Sequence, residues 1–510
     1  MSTYAYNRRQ FMELLGITAA GLALPEASGA ANTPAETCRP NILVLMADEH
    51  NASVLGCTGN NIVRTPSLDR LAQGGIVFDT CYCNSPLCVP SRLSFTSGKY
   101  VSRVGAWNNN CWLPNPEYPS VARLLNASGY ESFLCGKMHY DTTQRYGFTE
   151  IGGQMNKGHM TGLGERRSPD DLTPEPGISK RFDEFHSGDH SHVLDHDREV
   201  TAGTLEFLKT RKNGGKPFFL LSGYLAPHFP LIVPEKYWDA YKGKVPMPVI
   251  PEGLLDALPR NYKHLRIGFN VEDVPEDTVR KGRELYYGLV QWLDEEIGKV
   301  LQGLEDAGLA EYTIVIYTAD HGENMGEHGL WWKNCLYDSA AKVPLIVRWP
   351  KRWAGAQHRT QVCSLVDVAR TITALGGATA PEGWNGESML EWLDTPQAPW
   401  KDRAVSEYYA HNIASGYAMI RMGQFKYTYH TRPDQDHAPE RELYDLGADP
   451  QEFHNLAGAP EYAEKCAILH AALVKELGEE PDSIEQRCRA DYQKGYARRD
   501  TGKARKKKES

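Results

Sequence analysis

Apolar residues in this chain come either in short unbroken runs or in longer stretches where they recur at helical spacing. Asn41-Ile-Leu-Val-Leu-Met46 and Pro217-Phe-Phe-Leu-Leu221 belong to the first kind. Each is too short for a helix and apolar at successive positions, which predicts a strand buried on both faces. Tyr130–Leu134, Thr313–Tyr317 and Val343–Val347 read the same way. Between them, Ser120 caps a helix carrying Val121, Leu124 and Leu125 and ending near Gly129. Asp277–Asp306 sets Leu285, Leu289, Trp292, Ile297, Val300, Leu301 and Leu304 on one face, with Gly308 just beyond. Such alternation predicts an α/β fold, a mostly parallel sheet sandwiched by helices. After about Trp400 the pieces shorten and alternate, as in Tyr417–Arg421 and Phe425–Tyr429, with a helix over about 461–477. These predict a small C-terminal α+β subdomain carrying an antiparallel sheet. The expected organisation is a leader over 1–31, a main domain over 38–400, the subdomain over 401–480 and a tail over 481–510 with a disordered basic end, Lys503–Lys508.

Composition narrows the function. The 510 residues are 41% hydrophobic and 24% charged, enough apolar surface for a large core, so global disorder is excluded. Lys and Arg number 56 against 65 Asp and Glu, a formal charge of −9, which argues against a nucleic-acid partner. The eleven cysteines are scattered and form no CxxC pair, so no disulfide framework is expected. The Phe11–Leu24 segment is short of the ~20 residues a membrane-spanning helix needs, so no integral membrane segment is expected. It follows Arg8-Arg9 and precedes the small residues Ala27–Ala31. That order resembles a twin-arginine export signal and predicts a periplasmic or extracellular protein.

Open parallel sheets bind ligands beyond the carboxyl ends of their strands. Asp48, Glu49 and His50 follow the first strand, His228 follows the Phe218 strand, and Asp320-His321-Gly322 follows Thr313–Tyr317. Carboxylates and imidazoles gathered on one rim suit a hard cation. In Cys88-Val-Pro-Ser-Arg92, Pro90 and Ser91 fit the first turn of a helix running to Ser97 and stopping at Gly98. Cys88 would then sit at a helix N-terminus, where the dipole lowers a thiol's pKa. Arg92 would return over it with a guanidinium suited to a tetrahedral oxyanion. The Gly- and His-rich stretch 151–200, with His159, His186, His190, His192 and His196, reads as a solvated surface insertion rather than a second metal site, and Asp197 as the start of the next helix. Trp107, Trp112, Trp331 and Trp332 lie beside these blocks. Caging a quaternary ammonium, stacking a sugar, lining an aryl pocket and plain core packing all stay open for them.

Cys-x-Pro-Ser-Arg, continued by Leu93 and Thr96-Ser-Gly-Lys99, resembles the modification signature of type I sulfatases, in the alkaline-phosphatase-like superfamily. Asn41–Asp48, Gly136-Lys-Met-His139, Pro217–Pro230, Thr318–Pro350 and Glu442–Leu456 look like family blocks in the family's order. Gly-Lys-Met-His, Gly105-Ala-Trp-Asn-Asn109 and the Asp-His pair are most like choline sulfatases and phosphonate monoester hydrolases. The resemblance implies that a maturation enzyme oxidises Cys88 to Cα-formylglycine. It implies that Asp48, Asp320 and His321, with the modified Cys88, bind a divalent cation, calcium before manganese, with Glu49 an open question. The hydrated aldehyde then attacks sulfur to give a covalent sulfo-enzyme. His228 acts as general acid, Lys137 and Lys333 hold the sulfate oxygens, and Asn109 touches the sulfate. His139 takes the proton that expels sulfate, and Arg92 orients the modified residue. A small-molecule or saccharide sulfate ester is the implied substrate, and a homo-oligomer is compatible with it. A phosphonate or phosphodiester hydrolase is the alternative on the same scaffold, and an exported anion- or metal-binding protein with an unmodified Cys88 is the distant one.

Overall fold

The computed structural model describes residues 39–140, 143–153, 166–174, 176–353 and 355–494. The expected leader over 1–31, His159 and the basic tail lie outside the described residues. Eight strands form the central sheet: β1 (Asn41–Asp48), β2 (Ile76–Phe78), β3 (Glu131–Gly136), β4 (Thr149–Ile151), β5 (Phe218–Pro227), β6 (Thr313–Ala319), β7 (Leu345–Arg348) and β8 (Gln357–Arg359). Their spatial order is β8-β2-β7-β6-β1-β5-β3-β4. Neighbours from β6 through β4 are parallel, and β7 is antiparallel to both β6 and β2. The expected strand over 343–347 is thus split at Pro344, which has no amide to donate to a ladder, and its second half joins the central sheet antiparallel to its neighbours.

Continuous apolar runs became strands because both faces are covered. Every residue of β1 and β6 is buried. Helices Pro66–Gln73, His192–Lys209 and Glu276–Asp306 pack together on one side, and Cys88–Ser97, Val121–Ala127 and Leu365–Leu375 on the other. Strands Arg403–Tyr408, Tyr417–Met422, Phe425–His430 and Glu440–Asp445 form the expected antiparallel meander, with helix Ala463–Leu477 against it. Two expectations are corrected. The segment after 480 begins as a helix, Pro481–Gln493, because Ile484 and Cys488 fall on one buried face and the buried Glu485 accepts from Gly416 N, Arg166 and Arg489. The helix assigned to start at Asp197 begins at His192, capped by Ser191, whose hydroxyl accepts from Leu194 N. Asp197 is instead buried and accepts from Leu225 N and Ala226 N, bracing the end of β5.

Candidate active site

Four adjacent parallel strands, β6, β1, β5 and β3, end on one rim, and each delivers a polar side chain just past its last residue. Pairing of β1 with β6 runs to Ala47 opposite Ala319, so Asp48 and Asp320 emerge side by side. Asp320 N donates to Ala47 O at 3.2 Å and Glu49 N to Asp320 Oδ1 at 3.2 Å, locking the two turns together. On the other side, Lys137 N donates to Gly223 O at 2.8 Å. A Cβ at Gly223 would lie 1.9 Å from Lys137 O, so only glycine lets β3 turn across β5 there and present Lys137 and His139.

Helix Cys88–Ser97 starts and stops where expected, with Gly98 in the left-handed region at φ 64°. Cys88 is buried with its sulfur 3.1 Å from Lys333 Nζ, 3.3 Å from His321 Nε2 and 3.6 Å from Asp48 Oδ1. Burial pushes this thiol up, but the charges of Lys333, Lys137 and His321 outweigh it and hold it well below the usual cysteine range. Lys137 pairs with Asp48, Lys333 lies 3.3 Å from Glu49 Oε1, and His228 Nε2 is 3.3 Å from Glu49 Oε2 and 4.0 Å from Asp48 Oδ1. His228 Nδ1 faces Phe229 O at 2.5 Å, which leaves Nε2 to the cavity side. His321 Nδ1 is likewise tied to Gly322 O at 2.9 Å, aiming Nε2 at Cys88. Burial disfavours a charged His321, yet Asp320 raises it to about 9. Burial and the Cys88 sulfur push Asp48 up, and Lys137, His228 and Arg92 bring it below the ordinary carboxylate range. Asp320 stays above that range through burial and repulsion by Asp48, despite Arg92.

Arg92 departs from its expected place. Its Nε donates to Asp320 at 2.8 Å, one terminal nitrogen to Asp48 at 3.0 Å and the other to Lys137 O at 2.6 Å. It is 0% exposed and does not line the cavity, so it is not available to an oxyanion. It clamps the two carboxylates at a fixed separation, because a buried guanidinium must satisfy all its faces within the protein. Asn109 lines the cavity and its Oδ1 accepts from Val89 N at 3.0 Å, capping the first turn of the Cys88 helix.

Ligand atoms of Asp48, Cys88, Asp320 and His321 all lie within 4.8 Å of one another, as do those of Asp48, Glu49 and His228. Two carboxylates with an imidazole, fully desolvated and braced by cations, are a donor set that fits a divalent cation, and Glu49 Oε1, buried with only the Lys333 ion pair beside it among the described residues, accepts no hydrogen bond from them. Glu49 falls in the second grouping and not with Cys88.

The cavity above Cys88 has a volume of about 360 Å³, and Lys137, His139, His228 and Lys333 open onto it. Several of its lining residues were not singled out by the sequence: Arg181, Phe229, Phe269 and His411. The supposed surface insertion contributes His192 and His196 to this wall, while His186 and His190 are exposed. Neither of the metal-capable groupings among the described residues includes these histidines. Of the tryptophans, Trp332 lines the cavity; Trp331 packs on Phe182 and Phe185, and Trp107 packs on Tyr409 and donates to Asp491. Glu323 was also missed: it is buried, and burial together with Glu49 pushes its carboxyl well up.

This arrangement has counterparts among known proteins. The sulfatase family model matches residues 40–378, and a model described as N-sulphoglucosamine sulphohydrolase, C-terminal, matches 326–479. An N-acetylglucosamine-6-O-sulfatase from Bacteroides thetaiotaomicron is 28% identical, covering 87% of each chain, and a choline-sulfatase from Rhizobium meliloti is 28% identical, covering 83% of each. Among solved structures, one in complex with its substrate D-glucosamine-2-N,6-O-disulfate superposes with a TM-score of 0.68 at 24% identity, covering 87% of this chain and 99% of the other. The phosphonate monoester hydrolase of Agrobacterium radiobacter does so with 0.68 at 21%, covering 86% and 96%. A helix opening on Cys88 and set against carboxylates from neighbouring strands, within a match spanning most of the domain, leaves one assignment: the chain belongs to the sulfatase family and is a sulfuric ester hydrolase.

Proposed function

We propose that this protein is an exported, formylglycine-dependent sulfatase acting on sulfate esters of small saccharides. The observation that carries the reading is the setting of Cys88, at a helix start, against Asp48, His321 and Lys333 at the floor of the cavity. Once a maturation enzyme has converted Cys88 to formylglycine, its hydrate supplies a hydroxyl nucleophile, and a bound divalent cation, calcium by the carboxylate-rich donor set, would supply Lewis acidity to that hydroxyl and to the sulfuryl oxygens. Asp48, Asp320 and His321 hold the cation, and Arg92 sets the spacing of the two carboxylates. Lys137 and Lys333 neutralise the sulfate oxygens where charge develops. His228, oriented through Nδ1, donates a proton from Nε2 to the departing alcohol oxygen. His139 accepts the proton released as sulfate leaves. Saccharides are favoured over other alcohols because the relatives include an N-acetylglucosamine-6-O-sulfatase and the match extends over the C-terminal sulphohydrolase region.

Sulfate release by the matured protein tests this, using a panel of sulfated monosaccharides, nitrophenyl sulfate, choline sulfate and a phenylphosphonate ester. Turnover of the saccharide sulfates above the phosphonate ester is expected. Turnover of the phosphonate ester alone would move the protein to the reaction of its Agrobacterium fold neighbour, and no turnover of any ester would contradict the reading.

A further inference from the structure

Among the described residues, the cavity wall carries three cations, Lys137, Arg181 and Lys333, and no carboxylate. Two of them are committed to the floor, Lys137 to Asp48 and Lys333 to Glu49 and Cys88. Arg181 is not. It sits on a single turn of 3-10 helix, Lys180–Glu184, and no described residue forms a hydrogen bond or ion pair with its guanidinium. What holds it is aromatic: its Cζ lies 4.3 Å from the ring centroid of Phe229, 4.7 Å from that of Trp332 and 5.5 Å from that of Phe269. Stacking on ring faces fixes the plane of a guanidinium and leaves its edge, with the N–H donors, unspent. Burial works against its charge, with Glu49, Glu323 and Glu184 offsetting only part. The same field reaches His411, which burial, Arg181 and Lys333 bring down to about 4, so it faces the cavity uncharged.

We propose that Arg181 forms a second anion subsite, so that the preferred substrate is a sulfate ester whose alcohol carries a further anionic group, either a carboxylate or a second sulfo group. This rests on the reading of the cavity as a sulfate-ester site. The floor takes the scissile sulfate, and the edge of Arg181 takes the second anion in a charge-assisted, bidentate contact. The same geometry disfavours choline sulfate. Phe229 and Trp332, the rings that would cage a quaternary ammonium, already face a cation, and a second positive charge in that wall would be repelled.

The test compares matured wild type, Arg181→Gln and Arg181→Lys on a disulfated monosaccharide, a sulfated uronic acid, a neutral monosulfated sugar and choline sulfate. A charge-assisted pair predicts that wild type prefers the two dianionic esters over the neutral one by about 10- to 100-fold in kcat/KM. Arg181→Gln erases that preference through KM, and Arg181→Lys keeps part of it. Whichever dianion ranks higher identifies the second group. Binding of the same esters to the unmatured Cys88→Ser protein, followed by calorimetry, must give the same ranking. Equal losses on all four esters in Arg181→Gln, or choline sulfate used as well as the dianions by wild type, would overturn the subsite. A wild type that cleaves none of the esters, yet binds the dianions more tightly as Cys88→Ser, would sink the hydrolase reading and leave the subsite standing. Should Arg181→Gln fail to fold, the wild-type ranking and Arg181→Lys still decide.

Discussion

Asp48 and Asp320 are sealed from solvent at the ends of neighbouring strands, clamped by Arg92 from the Cys88 helix, whereas Arg181, His192, Phe229 and His411 reach the same cavity from a single turn, a helix start and two loops. The floor owes its geometry to sheet register: β1 and β6 cannot end differently without moving every pair behind them. The wall owes its geometry to side-chain stacking on Trp332 and Phe229. Register fixes chemistry, and stacking leaves specificity free to change. A floor of this kind suits one reaction shared by a family, and a wall of this kind suits the differing substrates of its members.

The contrast can be broken at several strengths. Cys88→Ala removes the proposed nucleophile and should lower kcat by on the order of 10⁴-fold or more, with the circular dichroism spectrum unchanged, because the helix start does not depend on the sulfur. Retained turnover would put the chemistry elsewhere. Removing divalent cations with a chelator should abolish turnover and lower Tm, since an ion held only by the native state stabilises it. A Tm indifferent to chelation would count against the Asp48–Asp320–His321 grouping. Arg92→Leu strands two buried carboxylates and should cost roughly 3–5 kcal/mol in urea denaturation. A loss confined to activity would make Arg92 a wall residue after all.

A pH series separates the floor from the rest of the fold. Glu407, on strand Arg403–Tyr408, is raised by burial to about 7 although Ser102 N, Ser102 Oγ and Tyr409 Oη donate to it. Its folded pKa exceeds its unfolded value, so the stability it contributes is full below about 4.5 and is lost as pH rises through 7. Glu407→Gln should therefore gain stability over wild type across that window, by up to about 3 kcal/mol at the alkaline end, without moving the substrate ranking. The smallest effect belongs to the exposed His190, whose ring bonds Asp195 alone among the described residues. His190→Ala should leave kcat/KM within about twofold and Tm nearly unchanged, as surface substitutions do.

The floor was legible in the sequence because strand ends are marked twice, by the close of an apolar run and by the acid or histidine that follows. Asp48, His228 and Asp320 were located that way, and the Cys88 helix by Pro90 and Gly98. The partner of Arg92 was not legible: spacing within a helix says which way a side chain can turn, and the choice between an oxyanion and two buried acids is made by strands over 40 and 220 residues away in the chain. Arg181, Phe269 and His411 carry no local mark, since their shared cavity is assembled from segments more than 80 residues apart. His192 and His196 were hidden by composition. A stretch rich in Gly and His reads as solvated, and only Ser191 capping the helix, with Val193, Leu194 and Val200 buried on one face, turns it into a wall.

The central claim is that the sulfur of Cys88 is replaced by oxygen before the enzyme works. Mass spectrometry of the Leu71–Arg92 tryptic peptide from active protein measures that directly. The account predicts a peptide that has lost one sulfur and carries an aldehyde at position 88, trapped by a hydrazine, with Cys81 and Cys83 still alkylated as thiols. An active preparation in which Cys88 is alkylated like its neighbours, with no aldehyde-bearing fraction, would contradict it.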